Sequence, residues 1–241
     1  MPRIGTRKLY YLLYQELRAM KIGRDKFFAI LKANHLLIKP KRSYQVTTWS
    51  HHRFRKHPNL IKEMEINQSE QVWVADITYI GKREKPCYLS LITDAYSKMI
   101  VGYDVSDSLS TIGTLRALKM AYKSRTSSNT IIHHSDRGVQ YCSDEYQHQL
   151  HKYKVKCSMT EQSDPYENAI AERVNGILKQ EFMIDTYPLD LKIMKEIAKE
   201  AVRIYNTKRP HWSNDLWTSE QMHQQNERKI NSYKLKSGST L

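Results

Sequence analysis

Long apolar runs are missing from this chain. None approaches the roughly 18 uncharged apolar residues that a helical membrane span requires, and the mean hydropathy is −0.68. The N-terminus lacks a charged-then-apolar export pattern, so the expected compartment is the cytoplasm, with no membrane partner. Cysteine is scarce too. Cys87, Cys142 and Cys157 include no CxxC pair, which excludes a disulfide framework and fits a reducing environment. They read as small buried hydrophobes. Acidic residues are almost absent from the first quarter. Residues 1–62 hold 15 Lys and Arg against only Glu16 and Asp25, a net of +13, whereas the rest holds 24 against 23. A solubility surface needs no such asymmetry; a footprint for a polyanion does, each phosphate contact releasing a counterion. Membrane-surface attachment would instead require an uninterrupted amphipathic helix with a broad apolar face.

Within that basic quarter, "TRKLYYLLYQELRAM" (6–20) spaces its leucines for a helix with Thr6 as N-cap. Gly23 breaks it, and "RDKFFAILKANHLL" (24–37) predicts a second. Two short basic helices around a glycine resemble a helix-turn-helix, with Arg24, Lys26, Lys39, Lys41 and Arg42 as candidate DNA contacts. Residues 1–42 form this expected unit and 43–68 a basic linker. His51, His52 and His57 lie in that linker without a cysteine pair, so they read as phosphate-facing or solvated rather than metal-binding.

From Gln71 the texture changes. "QVWVADITYI" reads as a central strand, apolar on both faces. "CYLSLITDAYS" and "MIVGYDVSD" continue an antiparallel meander. A helix at 111–125, a strand "TIIHHSD", a helix at 143–154 capped by Ser143, and a strand "VKCSMT" follow. Helices at 167–183 and 189–208 complete a core expected over 69–222, with a mobile tail over 223–241. The fold class is α/β: a mixed five-stranded sheet flanked by helices, preceded by a small all-α unit.

One charge interrupts the first strand. Asp76 shares a face with Val72, Val74, Thr78 and Ile80, where an unpartnered carboxylate costs several kcal/mol. The fourth strand ends at Asp136, followed at once by a turn at Arg137-Gly138. If the two strands are neighbours, the aspartates meet. A third carboxylate, Glu172, lies on the long helix after 35 intervening residues, with Asn175, Gly176 and Lys179 on its face and Val174, Ile177 and Leu178 opposite. Glu167 reads as an ordinary first-turn acid, Asp94 and Asp104 as strand-end or turn residues, His133 and His134 as packing, and Trp73 as core.

"VWVADITYI", "HHSDRGVQYCS" and "YENAIAERVNGILKQEF", in this order and spacing, resemble insertion-sequence transposases of the retroviral-integrase superfamily, over nearly the whole chain. "YNTKRPH" (205–211) is similar to the block that closes that core. The resemblance implies a ribonuclease-H-like fold whose catalytic and metal-binding Asp, Asp and Glu fall on Asp76, Asp136 and Glu172, with Lys179 on substrate DNA. It implies two Mg²⁺ ions, replaceable by Mn²⁺, bridged by Asp76. Such ions, about 3.5–4 Å apart, activate the attacking oxygen and stabilise the leaving one; hard cations prefer carboxylate oxygens. Asn175 and Tyr166 become candidate DNA contacts. Arg137 does so too, with a structural salt bridge as its alternative, while Asn168 either positions DNA or caps the helix. The family further implies nucleoid association in a bacterium, element terminal repeats and target DNA as substrates, a homo-oligomer, and a first-frame partner protein, supplied separately or as a frameshift fusion. A catalytically silent element-end repressor and a ribonuclease-H-type nuclease are the alternatives.

Overall fold

The computed structural model describes residues 1–38, 56–81, 86–161, 168–186 and 190–225. At the N-terminus, α1 (Thr6–Leu12) and α2 (Tyr14–Ala19) replace the single helix expected over 6–20, and α3 (Arg24–Ala33) follows. Leu13, at φ −98° and ψ 15°, is the kink between them, although its N–H still reaches Leu9 O at 3.0 Å. Gly5, not Thr6, occupies the cap position, and no side chain caps the helix. The end of α3 comes four residues earlier than 37, because His35 turns left-handed at φ 55° and Leu36 N–H returns to Leu31 O at 2.9 Å. Leu17, Phe27 and Leu31 form the small core of this all-α unit. Lys39, Lys41, Arg42 and Tyr166, with the 42/43 boundary and most of the expected tail, lie outside the described residues.

Apolar side chains on both faces make β1 (Val72–Ile80) the middle strand. It pairs antiparallel with β2 (Cys87–Asp94), which pairs antiparallel with β3 (Ile100–Ser106). A helix, α4 (Thr111–Lys123), crosses to β4 (Ile132–Ser135), which lies parallel to β1. Two further helices, the unexpected α5 (Val139–Cys142) and α6 (Asp144–Lys152), lead to β5 (Lys156–Met159), parallel to β4. Ser143 caps α6 as expected, accepting from Tyr146 N–H. The sheet order is β3-β2-β1-β4-β5.

Two apolar layers cover the two faces. Trp73 and Ala75 of β1 point toward α4 and α6, where Leu115, Leu118, Tyr146 and Leu150 enclose them. Gly102 permits this approach, since a Cβ there would run into Ala117 O and Ala121. On the other face, Ile80, Leu89 and Leu91 meet α7 (Ala169–Glu181) through Val174 and Leu178, and α8 (Leu191–Thr207) through Met194, Val202 and Tyr205. Part of the stretch read as linker joins the core: Ile61, Met64 and Ile66 pack against Val72, Val74 and Ala171. After α8, a 3-10 turn (Trp212–Asn214) and α9 (Ser219–His223) fold back on the sheet. Near the end of α8, Asn206 both donates to Ile100 O at 2.9 Å and accepts from Ile100 N–H at 3.0 Å. Among the described helices none is long and apolar enough to cross a membrane.

Asp94 and Asp104 serve the scaffold. Asp94 is fully buried, accepting from Glu70 N–H at 2.7 Å and from Ser97 N–H at 2.8 Å. Asp104 takes a two-pronged bond from Arg116. Cys87 and Cys142 are buried, Cys157 partly so, and none of the three is in a disulfide.

Candidate active site

Parallel pairing decides the first two carboxylates. Ala75 on β1 is in register with Ser135 on β4, so the next residue on each, Asp76 and Asp136, emerges side by side. Alternation then turns Asp76 to the face that carries Val72, Val74 and Ile80, the face covered by α7. Asp136 is anchored by Gly138 N–H, which donates to Oδ1 at 3.0 Å; a Cβ on Gly138 would come within 3.0 Å of that same oxygen. The turn after the strand therefore excludes side-chain bulk from the carboxylate.

Helix α7 supplies the rest. Asn168 at its N-terminus is buried and donates Nδ2 to Ala75 O at 3.2 Å, which pins the helix to β1 one residue before Asp76. Asn175 donates Nδ2 to Asp76 Oδ2 at 2.7 Å. The face of α7 bearing Glu172 is thus partly closed on the sheet: Asn175 is 5 % exposed because a strand carboxylate stands opposite it. Glu172 remains exposed, one turn earlier in the first turn of the helix. Lys179 is half-buried on the same stripe; burial lowers its pKa, and Asp185 and Asp76 act to raise it.

Burial and the neighbouring Asp136 push the Asp76 carboxyl from 3.8 up to about 7, with Glu172 adding to the rise; the Ile77 N–H and the Asn175 amide work against it. Asp76 thus receives two neutral donors, the Ile77 N–H and the Asn175 amide, beside a second acid, where a cation would relieve the repulsion between the two carboxylates. Their donor chemistry, hard and anionic, fits a divalent ion. Glu172 influences Asp76 least of these neighbours, and burial raises its own pKa. Among the described residues, no three His, Cys, Asp or Glu side chains stand close enough together to hold one metal ion. Two of the three expected acids meet, and the third stands a helical turn from Asn175.

His133 and His134 are packing residues: His133 Nε2 lies 2.9 Å from Tyr146 OH and His134 Nδ1 2.9 Å from Ser158 Oγ, all fully buried. Arg137 is half-buried; Arg24 is exposed and bonds the adjacent Asp25 at 3.1 Å, and Lys26 is exposed. Tyr141 escaped sequence reasoning. Its buried hydroxyl has no hydrogen-bond partner among the described residues, and its pKa is raised by burial, by Tyr146, and then by Asp76 and Asp136. The only signal was its place within "HHSDRGVQYCS".

Two integrase core domain family models match residues 66–165 and 153–216. The "Insertion element IS600 uncharacterized 31 kDa protein" of Shigella sonnei is 34% identical over 209 residues, covering 86% of this chain and 76% of that protein. The chain belongs to the insertion-sequence transposases with an integrase-type core. Other members include the "Transposase for insertion sequence element IS629" of Shigella sonnei, 32% identical over 73% of this chain and 58% of its own length. The "Transposase InsF for insertion sequence IS3A" of Escherichia coli (strain K12) is 29% identical over 78% and 66%. The chain therefore spans less than two thirds of each of these two relatives. In structure, this integrase-type core resembles the HTLV-2 integrase catalytic core domain solved with magnesium, at a TM-score of 0.51 and 19% identity over 65% of this chain and 97% of that one. A chain of the simian T-cell lymphotropic virus intasome in complex with PP2A regulatory subunit B56 gamma aligns at a TM-score of 0.56 and 18% identity over 95% of this chain and 78% of that one. Both confirm the ribonuclease-H-like fold.

Proposed function

We propose that this family member is a DNA transposase that cuts strands at the ends of an insertion sequence and joins the freed 3′-hydroxyls to target DNA. The observation that carries this reading is the emergence of Asp76 and Asp136 side by side after the paired Ala75 and Ser135, with a half-buried Asp76 carboxyl pushed up to about 7 by burial and by Asp136. Asp76 and Asp136, with Glu172 from α7, would hold two Mg²⁺ ions, or Mn²⁺ in their place. Such ions supply activation of the attacking oxygen and charge stabilisation at the leaving one.

The protein's own residues have separate tasks. Asn175 orients the Asp76 carboxylate through its 2.7 Å bond, and Gly138 fixes that of Asp136. Lys179 faces substrate phosphate from the same helix, with Arg137 beside the acidic pair. Tyr166 positions DNA near Glu172, while Arg24 and Lys26, together with Lys39, Lys41 and Arg42, extend the contact to the terminal repeats. In cleavage, water oxygen attacks the phosphorus, the P–O3′ bond breaks, and the departing 3′-oxygen takes a proton. In joining, that 3′-hydroxyl attacks a target phosphorus and displaces the target's own 3′-oxygen. Residues 1–42 bind DNA as a helix-turn-helix and 69–222 act on it. The protein works as a homo-oligomer in the cytoplasm at the nucleoid, with a first-frame partner from the same element.

A strand-transfer assay with Asp76→Asn, Asp136→Asn and Glu172→Gln tests this reading. Each should reduce joining by about 10³ or more; undiminished joining removes that residue from the site. The exposed position of Glu172 favours one competing reading, a silent end-binding repressor. Gel-shift complexes without joining at any Mg²⁺ or Mn²⁺ concentration would establish that reading instead.

A further inference from the structure

A second site lies between the N-terminal helices and the core. A cleft of about 550 Å³ is lined by Arg7 and Lys8 of α1, Phe28 and Lys32 of α3, Arg173 and Glu181 of α7, and Trp212. Its anion, Glu181, is already engaged: Arg209 bonds both its oxygens at 2.6 and 2.8 Å, and Lys8 approaches at 3.5 Å. Among the described residues, no ion pair engages Arg7, Lys32 or Arg173, and all three are exposed. The cleft therefore carries three unneutralised cations. Trp212 is 47 % exposed although it sits in a turn held by a buried Asn214. An indole left half in water beside a half-buried Phe28 offers a flat stacking face next to those charges.

We propose that this cleft binds an unpaired nucleotide of a DNA strand, its base against Trp212 and its phosphates on Arg7, Lys32 and Arg173. Its volume of about 550 Å³ falls within the range of about 300–1,000 Å³ typical of small-molecule sites, room for a single nucleotide. Cations beside an aromatic face are the recognition chemistry of single strands. An acidic peptide would match the charge and leave the indole unused. Arg173 directly follows Glu172, and Glu181 is eight residues further along α7, a separation of about 12 Å at 1.5 Å per residue. The cleft thus lies along the same helix as Glu172, on the side that Arg173 presents about 100° round from it. The inference rests on DNA as the substrate and concerns residues outside the chemistry.

The full chain is mixed with a short oligodeoxythymidine carrying 5-iododeoxyuridine, irradiated, and the adducts are mapped; affinity is measured in parallel against salt. Crosslinks should fall on Trp212. Trp212→Ala should weaken single-strand binding about 5- to 100-fold, the range for loss of one stacked base, and Trp212→Phe should restore most of it. Arg173→Ala should lower the salt slope by about 0.7, one phosphate on a single strand. Thermal unfolding matching the wild type shows that the variants fold. Unchanged affinity and slope in both variants, or equal protection of Trp212 by a blunt duplex, overturns the proposal. Because the readout is binding, it stands apart from the reaction. Joining that depends on Asp76 with no crosslink at Trp212 defeats only the cleft, and a crosslink without Asp76-dependent joining defeats only the transposase reading.

Discussion

Helix α7 runs past two carboxylates with opposite fates. Near its first turns, burial and Asp136 push Asp76 up to about 7. At its last residue, burial works against the charge of Glu181, but Arg209 and Lys8 outweigh it and hold the carboxyl below its usual range. Arg209 is 1 % exposed and bonds Glu181 through two nitrogens. The protein neutralises Glu181 from within, and that acid ties α1, α7 and the segment after α8 together. Asp76 is given an amide, a backbone N–H and a second acid, with the field of Lys179 but no ion pair among the described residues. A carboxylate the fold completes is structural; one the fold leaves short of cations is positioned for something brought in from outside.

The largest test of that contrast is Arg209→Met. It leaves a half-buried Glu181 with only Lys8 for a cation and should cost about 2–4 kcal/mol, read by urea unfolding; a loss under about 1 kcal/mol would place Glu181 among surface ion pairs and erase the distinction. Next comes pH. Between 3.8 and about 7 the folded protein keeps a proton on Asp76 that the unfolded chain has released, so stability falls as pH rises through that window. Without divalent ions, Asp76→Asn should therefore be more stable than the wild type near pH 8, by about 2–4 kcal/mol, and lose that advantage near pH 4. Melting curves across pH check it, and Mg²⁺ should narrow the gap by stabilising the wild type alone. The smallest effect sharpens the role of Asn175. Its donated bond holds the Asp76 pKa down, so Asn175→Ala should shift the rising limb of the joining–pH profile alkaline by about 1 unit. At neutral pH, joining should drop about fivefold, with recovery at higher pH. A drop equal at all pH values would make Asn175 a packing residue only.

Much of the sheet was legible because strand and helix periods are local properties. Alternation in "VWVADITYI" exposed Asp76 as a polar intruder on a core face, and the position of Asp136 at a strand end followed from the glycine turn. The kink at Leu13 was not legible, since all its neighbours fit one helix. Neither was α5, a single turn inside a motif that reads as loop. Helical phase places Asn175 on the face of Glu172, but that its amide meets Asp76, 99 residues away, is written in neither segment.

By itself, the sequence determined the one-sided charge, the alternation of elements and the interval between the three acids, all written within single segments of chain. Only the tertiary structure decided which acids meet, that Lys8 finds Glu181 across 173 residues, and that a basic cleft opens beside Trp212. Those outcomes depend on how separately encoded faces pack, and side-chain charge is satisfied or left wanting by whatever that packing brings within a few ångströms.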